Sequence, residues 1–203
     1  MTVTSEDLRR VADGVLERFA LLPDEAWDRP AFELAWTCRE TAGHILDDLG
    51  GYALQLSGSR PPQDDYVELL EPPPLRAGGP RIIFYPDPAA GTRGILRCLD
   101  AAAGLLCSVV ATADGKRGYH PMGISDAEGF AAMGIVEAAV HAFDILTVHQ
   151  IPYAADASVC ARVLDRLFPA AVRTGDPWQD LLGACGRTPA TRGLPWRWDA
   201  SVR

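Results

Sequence analysis

The sequence predicts an all-α protein, an up-and-down four-helix bundle with a long crossover loop and short C-terminal helices. Three observations predict it: four long segments with apolar residues at helical spacing, a proline-rich stretch between the second and third, and a dearth of alternating strand patterns. The first segment begins at Ser5 and carries Leu8, Val11, Val15, Leu16, Phe19 and Ala20 at helix spacing, stopping before Pro23. In the second, Thr37 and Glu40 have the T-x-x-E spacing of a capping box behind the apolar Trp36, so a helix starts at Thr37, and Gly50–Gly51 loosen or bend it. Residues 57–91 read as a connection, with RIIFY (Arg81–Tyr85) its single strand candidate; a loop this long either covers something or is partly disordered. Thr92–Ala113 is a third, alanine-rich helix ended by Asp114–Gly115. Ser125 and Glu128 repeat the capping-box spacing and open a fourth that runs to about Gln150 before Pro152. Asp156 can cap a fifth helix to Phe168, and Asp176–Pro177 cap and open a short sixth ending near Gly186.

A chain of 203 residues suits one domain, and surface scaling lets it bury about 70% of its unfolded surface, so neither a metal nor disulfides are needed to hold it folded. Residues 1–150 are expected to form the bundle, with 151–203 packed on it as helices and tail rather than as an independent domain. Nineteen Lys and Arg against 27 Asp and Glu give a net charge of −8, a field that disfavours nucleic acid and anionic membrane surfaces as partners. The first twenty residues mix charges through their apolar positions and no unbroken run of eighteen apolar residues occurs, so the expected location is cytoplasmic. The five cysteines (Cys38, Cys98, Cys107, Cys160, Cys185) include no C-x-x-C pair and read as reduced thiols.

Four histidines make placement informative. In VEAAVHAFDIL, Glu137, His141 and Asp144 stand at i, i+4 and i+7 and share one stripe of the fourth helix. His44 lies in the second helix, with Glu40 and Asp48 four residues to either side. If the two helices face each other, His44, Glu137 and His141 form a three-ligand site with an open coordination position, as catalytic zinc sites have. The plain alternative is a solvated ion-pair stripe. Against it, Val136, Val140, Phe143, Ile145 and Leu146 make the fourth helix apolar nearly all round, and buried charges need a partner or a metal.

Other residues carry two readings each. The candidate catalytic residues are His120, in GYHPMG, as an acid, base or substrate contact at the mouth of the site, and Asp144, orienting a ligand imidazole. An idle loop histidine and a cap or ion pair are the respective alternatives. His149 is expected near a helix C-terminus as a favoured cation, Cys38 as structural, and the Trp196–Arg197–Trp198 tail as an apolar strap.

The segments WTCRETAGHILDDL and VEAAVHAFDIL resemble the two signature segments of the DinB-like superfamily, in particular the metal-binding domain of the mycothiol-dependent maleylpyruvate isomerases. The matching patterns are W-T-x-x-(D/E)-x-x-x-H-(I/L) at Trp36–Ile45 and E-x-x-x-H-x-x-D at Glu137–Asp144. The resemblance implies a divalent metal, usually zinc, held by His44, Glu137 and His141, and mycothiol or another low-molecular-weight thiol as cofactor. Two histidines with one carboxylate also suit Ni2+, Fe2+ or Mn2+, so the donor set leaves the ion open. The implied function is a thiol-dependent transferase or isomerase, in which the metal activates a thiolate for attack on an electrophilic small molecule. Two alternatives stand beside it: a non-enzymatic metal- or ligand-binding bundle, dimeric through an apolar helix face, and a metal-dependent hydrolase.

Overall fold

The computed structural model describes residues 2–194 and 197–202, so the reading of Trp196 as part of a strap lies outside the described residues. The chain is mostly helical, as expected: α1 (Ser5–Phe19), α2 (Cys38–Ser57), α3 (Gly91–Thr112), α4 (Ala127–Val148), α5 (Ala157–Leu167) and α6 (Pro177–Ala184). The sheet among the described residues is a two-residue antiparallel pair, β1 (Arg117–Gly118) with β2 (Ser125–Asp126).

Local chemistry accounts for where the helices begin. At α1 the cap is Thr4, one residue ahead of the expected start, and its hydroxyl and the Asp7 carboxylate satisfy each other's backbone N–H groups. At α2 the capping box forms as read from the sequence, with Thr37 as the cap and Cys38 as the first helical residue. The helix then runs unbroken to Ser57, so Gly50 and Gly51 do not break it. Gly50 instead makes room: a Cβ there would sit 3.0 Å from the Phe84 ring.

No capping box forms between Ser125 and Glu128, because Ser125 is held in β2 and the Glu128 carboxylate accepts the backbone N–H of Val3. Asp126 caps α4 in its place, accepting from the N–H of Gly129, and the helix ends at Val148 rather than Gln150. Arg81–Tyr85 forms no strand. Asp47 Oδ1 accepts the backbone N–H of both Ile83 (2.8 Å) and Phe84 (2.7 Å), so a side chain of α2 satisfies donors that a neighbouring strand would otherwise have taken.

The four long helices pack on one another: α1 and α2 each contact α3 and α4, and α3 also contacts α4. All four meet at Gly134. A Cβ there would lie 2.8 Å from Leu106 of α3, 3.1 Å from Leu49 of α2 and 3.4 Å from Leu8 of α1, so the missing side chain permits the approach. α5 packs on α4 and α6 on α5, which encloses α4 further. The segments Pro88–Thr112 and Ala127–Val148 are both long and apolar enough to cross a membrane, and the second is largely buried inside this fold. Replacing Gly134 by Val should cost about 1–3 kcal/mol of stability through overpacking. Urea unfolding followed by circular dichroism checks this; an unchanged midpoint would mean the helices have slack at that crossing.

Candidate metal centre

Burial makes the polar stripe of α4 unusual. Glu137 and His141 are each only 3% exposed and Asp144 is fully buried, on a helix otherwise lined by Val136, Val140, Ile145 and Leu146. Ionisable groups taken out of water this completely must find compensating partners. The fold supplies them from two sides.

On one side α2 presents His44. Its Nε2 lies 3.6 Å from Glu137 Oε2, and His141 Nε2 lies 3.3 Å from the same oxygen. The two imidazoles meet edge to face with centroids 5.0 Å apart, and the Trp36 indole flanks His44 at the same separation. One ligand atom from each of His44, Glu137 and His141 therefore falls within 4.8 Å of the others, as three donors around a single ion require. Glu137 Oε2 is buried and makes no hydrogen bond despite the two rings beside it, which is the condition of an oxygen placed to ligate rather than to bond a neighbour. Two imidazoles and one carboxylate are borderline donors suited to zinc and to its first-row neighbours, so the residues fit a divalent metal.

On the other side Asp144 holds the second imidazole. Its Oδ2 lies 2.9 Å from His141 Nδ1, and a carboxylate only accepts, so the neutral ring carries its proton at Nδ1 and aims the Nε2 lone pair at Glu137 and His44. Asp144 is itself clamped by Arg187, which follows α6: Nε reaches Oδ1 at 3.2 Å and Nη2 reaches Oδ2 at 2.8 Å. Burial opposes ionisation of Asp144, yet His141 and Arg187 outweigh it and hold its carboxyl below the usual range. Both candidate roles of Asp144, orienting partner and ion-pair member, are thus combined in one side chain.

Asp48, one turn after His44, brings Oδ2 to 3.3 Å from His44 Nε2. Burial works against a charged His44 ring, but Asp48, Glu137 and Asp47 outweigh it and push its pKa up to about 9. The same imidazoles offset the burial of Glu137 and hold its carboxyl well below the ordinary carboxylate range. Glu40, the other acid beside His44 in sequence, is spent elsewhere: it completes the α2 cap and pairs with Arg76 of the crossover, 2.6 Å away.

A cavity of about 580 Å3 opens beside His44 and Glu137. Its walls come from α2, from crossover residues 65–69, 71, 81 and 83, from the segment before α4, from α4 itself and from Trp198, so the long loop does cover something. His120 is one of its lining residues and is 6% exposed, packed between Tyr52 and Trp198 with centroids 6.0 and 5.7 Å away. Its Nδ1 accepts the backbone N–H of Met122 at 3.1 Å, and burial drives its pKa down to about 4. His120 is therefore neutral near pH 7 and keeps its proton at Nε2. His149, by contrast, is no cation at the α4 terminus: burial and then Arg29 lower its pKa, and it faces the Cys38 thiol at 3.7 Å. Burial pushes Cys38 up to about 11, in keeping with a structural thiol.

Residues 7–144 match the DinB superfamily, and the chain belongs to it. No curated protein and no solved structure matches the chain. The matched span ends at Asp144, so Arg187 lies outside it. No spacing in the sequence signals Arg187, since 43 residues separate it from the carboxylate it clamps.

Two predictions concern metal affinity. Arg187→Met should weaken zinc binding by about 10- to 100-fold while leaving helix content unchanged, measured by competition with a chromogenic chelator; wild-type affinity in the variant would show the clamp to be purely structural. Below its pKa of about 9 the His44 ring is protonated, and an ion must displace that proton. Zinc affinity should accordingly rise by about tenfold per pH unit from pH 7 to 9 and flatten above; a flat profile would place His44 outside the ligand set.

Proposed function

We propose that this protein uses His44, Glu137 and His141 to hold a divalent metal, with zinc as the leading candidate, on an up-and-down four-helix bundle. On this reading it is a small-thiol-dependent transferase or isomerase akin to the mycothiol-dependent maleylpyruvate isomerases. The observation that carries the metal is the convergence of three ligand atoms from two helices, those of Glu137 and His141 on buried residues and that of His44 on a half-buried one, with the carboxylate oxygen making no hydrogen bond. When bound, the ion would supply a Lewis-acidic position able to lower the pKa of a thiol held there. A cavity of about 580 Å3 beside the triad supports a small organic reaction partner, since ligand pockets commonly run from roughly 300 to 1,000 Å3.

The chain's own residues divide the remaining work. Asp144 and Arg187 hold His141 in one tautomer and one orientation. Tyr52 and Trp198, both largely buried, form an apolar wall that limits water beside His44 and Glu137. His120 keeps a proton at Nε2, from which it can donate to negative charge that develops on an electrophile as a sulfur nucleophile adds. The cysteines are poor candidates for that nucleophile: burial raises the pKa of Cys38, Cys160 and Cys185, so an added thiol is the better source of the attacking sulfur.

Elemental analysis should find about one zinc per chain in the protein and none in His44→Ala or His141→Ala, with circular dichroism confirming that both variants fold. Absence of metal from the wild type, or its retention in both variants, would overturn the site. The cobalt-substituted protein should develop a thiolate-to-metal charge-transfer band when mycothiol is added, and should consume an electrophile only in its presence. Failure of mycothiol and other small thiols to produce the band would overturn the thiol reading. A band without turnover would instead make the protein a binding module, and turnover of esters or amides without thiol would make it a hydrolase.

A further inference from the structure

The charge and surface chemistry of the cavity bear on what it admits. Five acidic side chains line it besides Glu137: Asp65, Glu68 and Glu71 are exposed, whereas Asp47 accepts the N–H groups of Ile83 and Phe84 and Asp48 pairs with His44. Arg81 is the guanidinium on that wall, its Nε 3.6 Å from Glu71 Oε2, and the His44 ring is already faced by Asp48 and Glu137. Apart from the proposed metal, a carboxylate substrate entering here finds only cationic groups that already face acids, and it meets the exposed Asp65, Glu68 and Glu71 and a net charge of −8 on the whole protein. The rest of the lining is aromatic. Tyr66 and Tyr119 stand nearly perpendicular, with centroids 5.3 Å apart and rings at 87°, while Tyr52 and Trp198 lie deeper on either side of His120.

We infer that the organic ligand of this cavity carries an alkylammonium group, held among the aromatic rings Tyr66, Tyr119, Tyr52 and Trp198 and neutralised by the surrounding carboxylates. Ring faces attract a cation through their quadrupole, and quaternary ammonium groups, which cannot donate a hydrogen bond, are bound most economically by aromatic walls with acids nearby. Burial first, then Asp48, with Glu71 and Asp65 among the further charges, pushes the Tyr66 phenol up to about 12, so the ring stays neutral. The inference rests on the proposed metal centre only for what the ligand does next. Thiol or electrophile, one of the two partners brought to His44, Glu137 and His141 bears the cation, and a dicarboxylate of the maleylpyruvate kind is disfavoured as substrate.

Three probes of one shape test this: choline, its neutral isostere 3,3-dimethylbutan-1-ol, and the anion 3,3-dimethylbutanoate. Titrated calorimetrically into zinc-loaded protein, choline should bind at least about tenfold more tightly than the alcohol and the anion weakest of the three. Equal or tighter binding of the alcohol or the anion overturns the inference. Tyr66→Leu should weaken choline about tenfold and Tyr66→Phe should restore it, because Phe keeps the ring; Tyr66 is half exposed, so neither change threatens the fold. Glu68→Gln combined with Glu71→Gln, both exposed positions, should weaken choline several-fold and reduce the salt dependence of binding. Unchanged choline affinity in Tyr66→Leu overturns the aromatic site. Zinc stoichiometry is read on the same samples: full zinc without cation preference defeats this inference alone, and cation preference without zinc defeats the metal reading alone.

Discussion

The constraint on which the rest depends is the burial of charge in α4. Glu137, His141 and Asp144 lie along one stripe of a helix whose other faces are packed by α1, α2, α3 and α5, so each must be matched by a partner that the fold brings to it. His44 arrives from α2 and Arg187 from the segment after α6. The resulting line runs from Arg187 through Asp144 and His141 to Glu137 and His44, alternating cationic or neutral donors with carboxylates. At one end it is a salt bridge. At the other, Glu137 Oε2 faces two ring nitrogens with no hydrogen bond, and the pattern is left open for a metal.

That line gives the C-terminal helices a purpose beyond covering α4. The superfamily match stops at Asp144, yet the residue that clamps Asp144 comes from the segment that follows it. Because a carboxylate held by Arg187 stays ionised and oriented, His141 is kept in the tautomer that presents Nε2. The segment after α6 therefore acts on the site through Arg187, which clamps Asp144, and through Trp198, which joins the crossover in walling the cavity. The two contributions are separable: one orients His141, the other walls the cavity beside it.

The crossover shows how a segment without regular structure is held in place. Asp47 takes the N–H groups of Ile83 and Phe84, Glu40 pairs with Arg76, and Ile82 and Phe84 pack against the bare backbone of Gly43 and Gly50. Each anchor lies on α2, the helix that also carries His44 and Asp48. Loop position and ligand position are consequently set by the same element, and the strand suggested by RIIFY has no reason to form once its backbone donors are satisfied by a carboxylate.

Helix existence, the Thr37–Glu40 cap and the i, i+4, i+7 stripe of Glu137, His141 and Asp144 were legible in the sequence because they follow from spacing along a single helix, where 3.6 residues per turn fixes which side chains are neighbours. The two signature segments also pointed to His44 as their companion. What spacing cannot convey is distance between elements. The approach of His44 to Glu137, the clamp of Arg187 across 43 residues, the tautomer of His120 set by Met122, and the aromatic and acidic walls of the cavity were decided by the tertiary structure. They depend on how α2, α4 and the irregular segments meet. That meeting is governed by shape at points such as Gly134 and by long-range charge pairing, neither of which leaves a periodic mark on the chain.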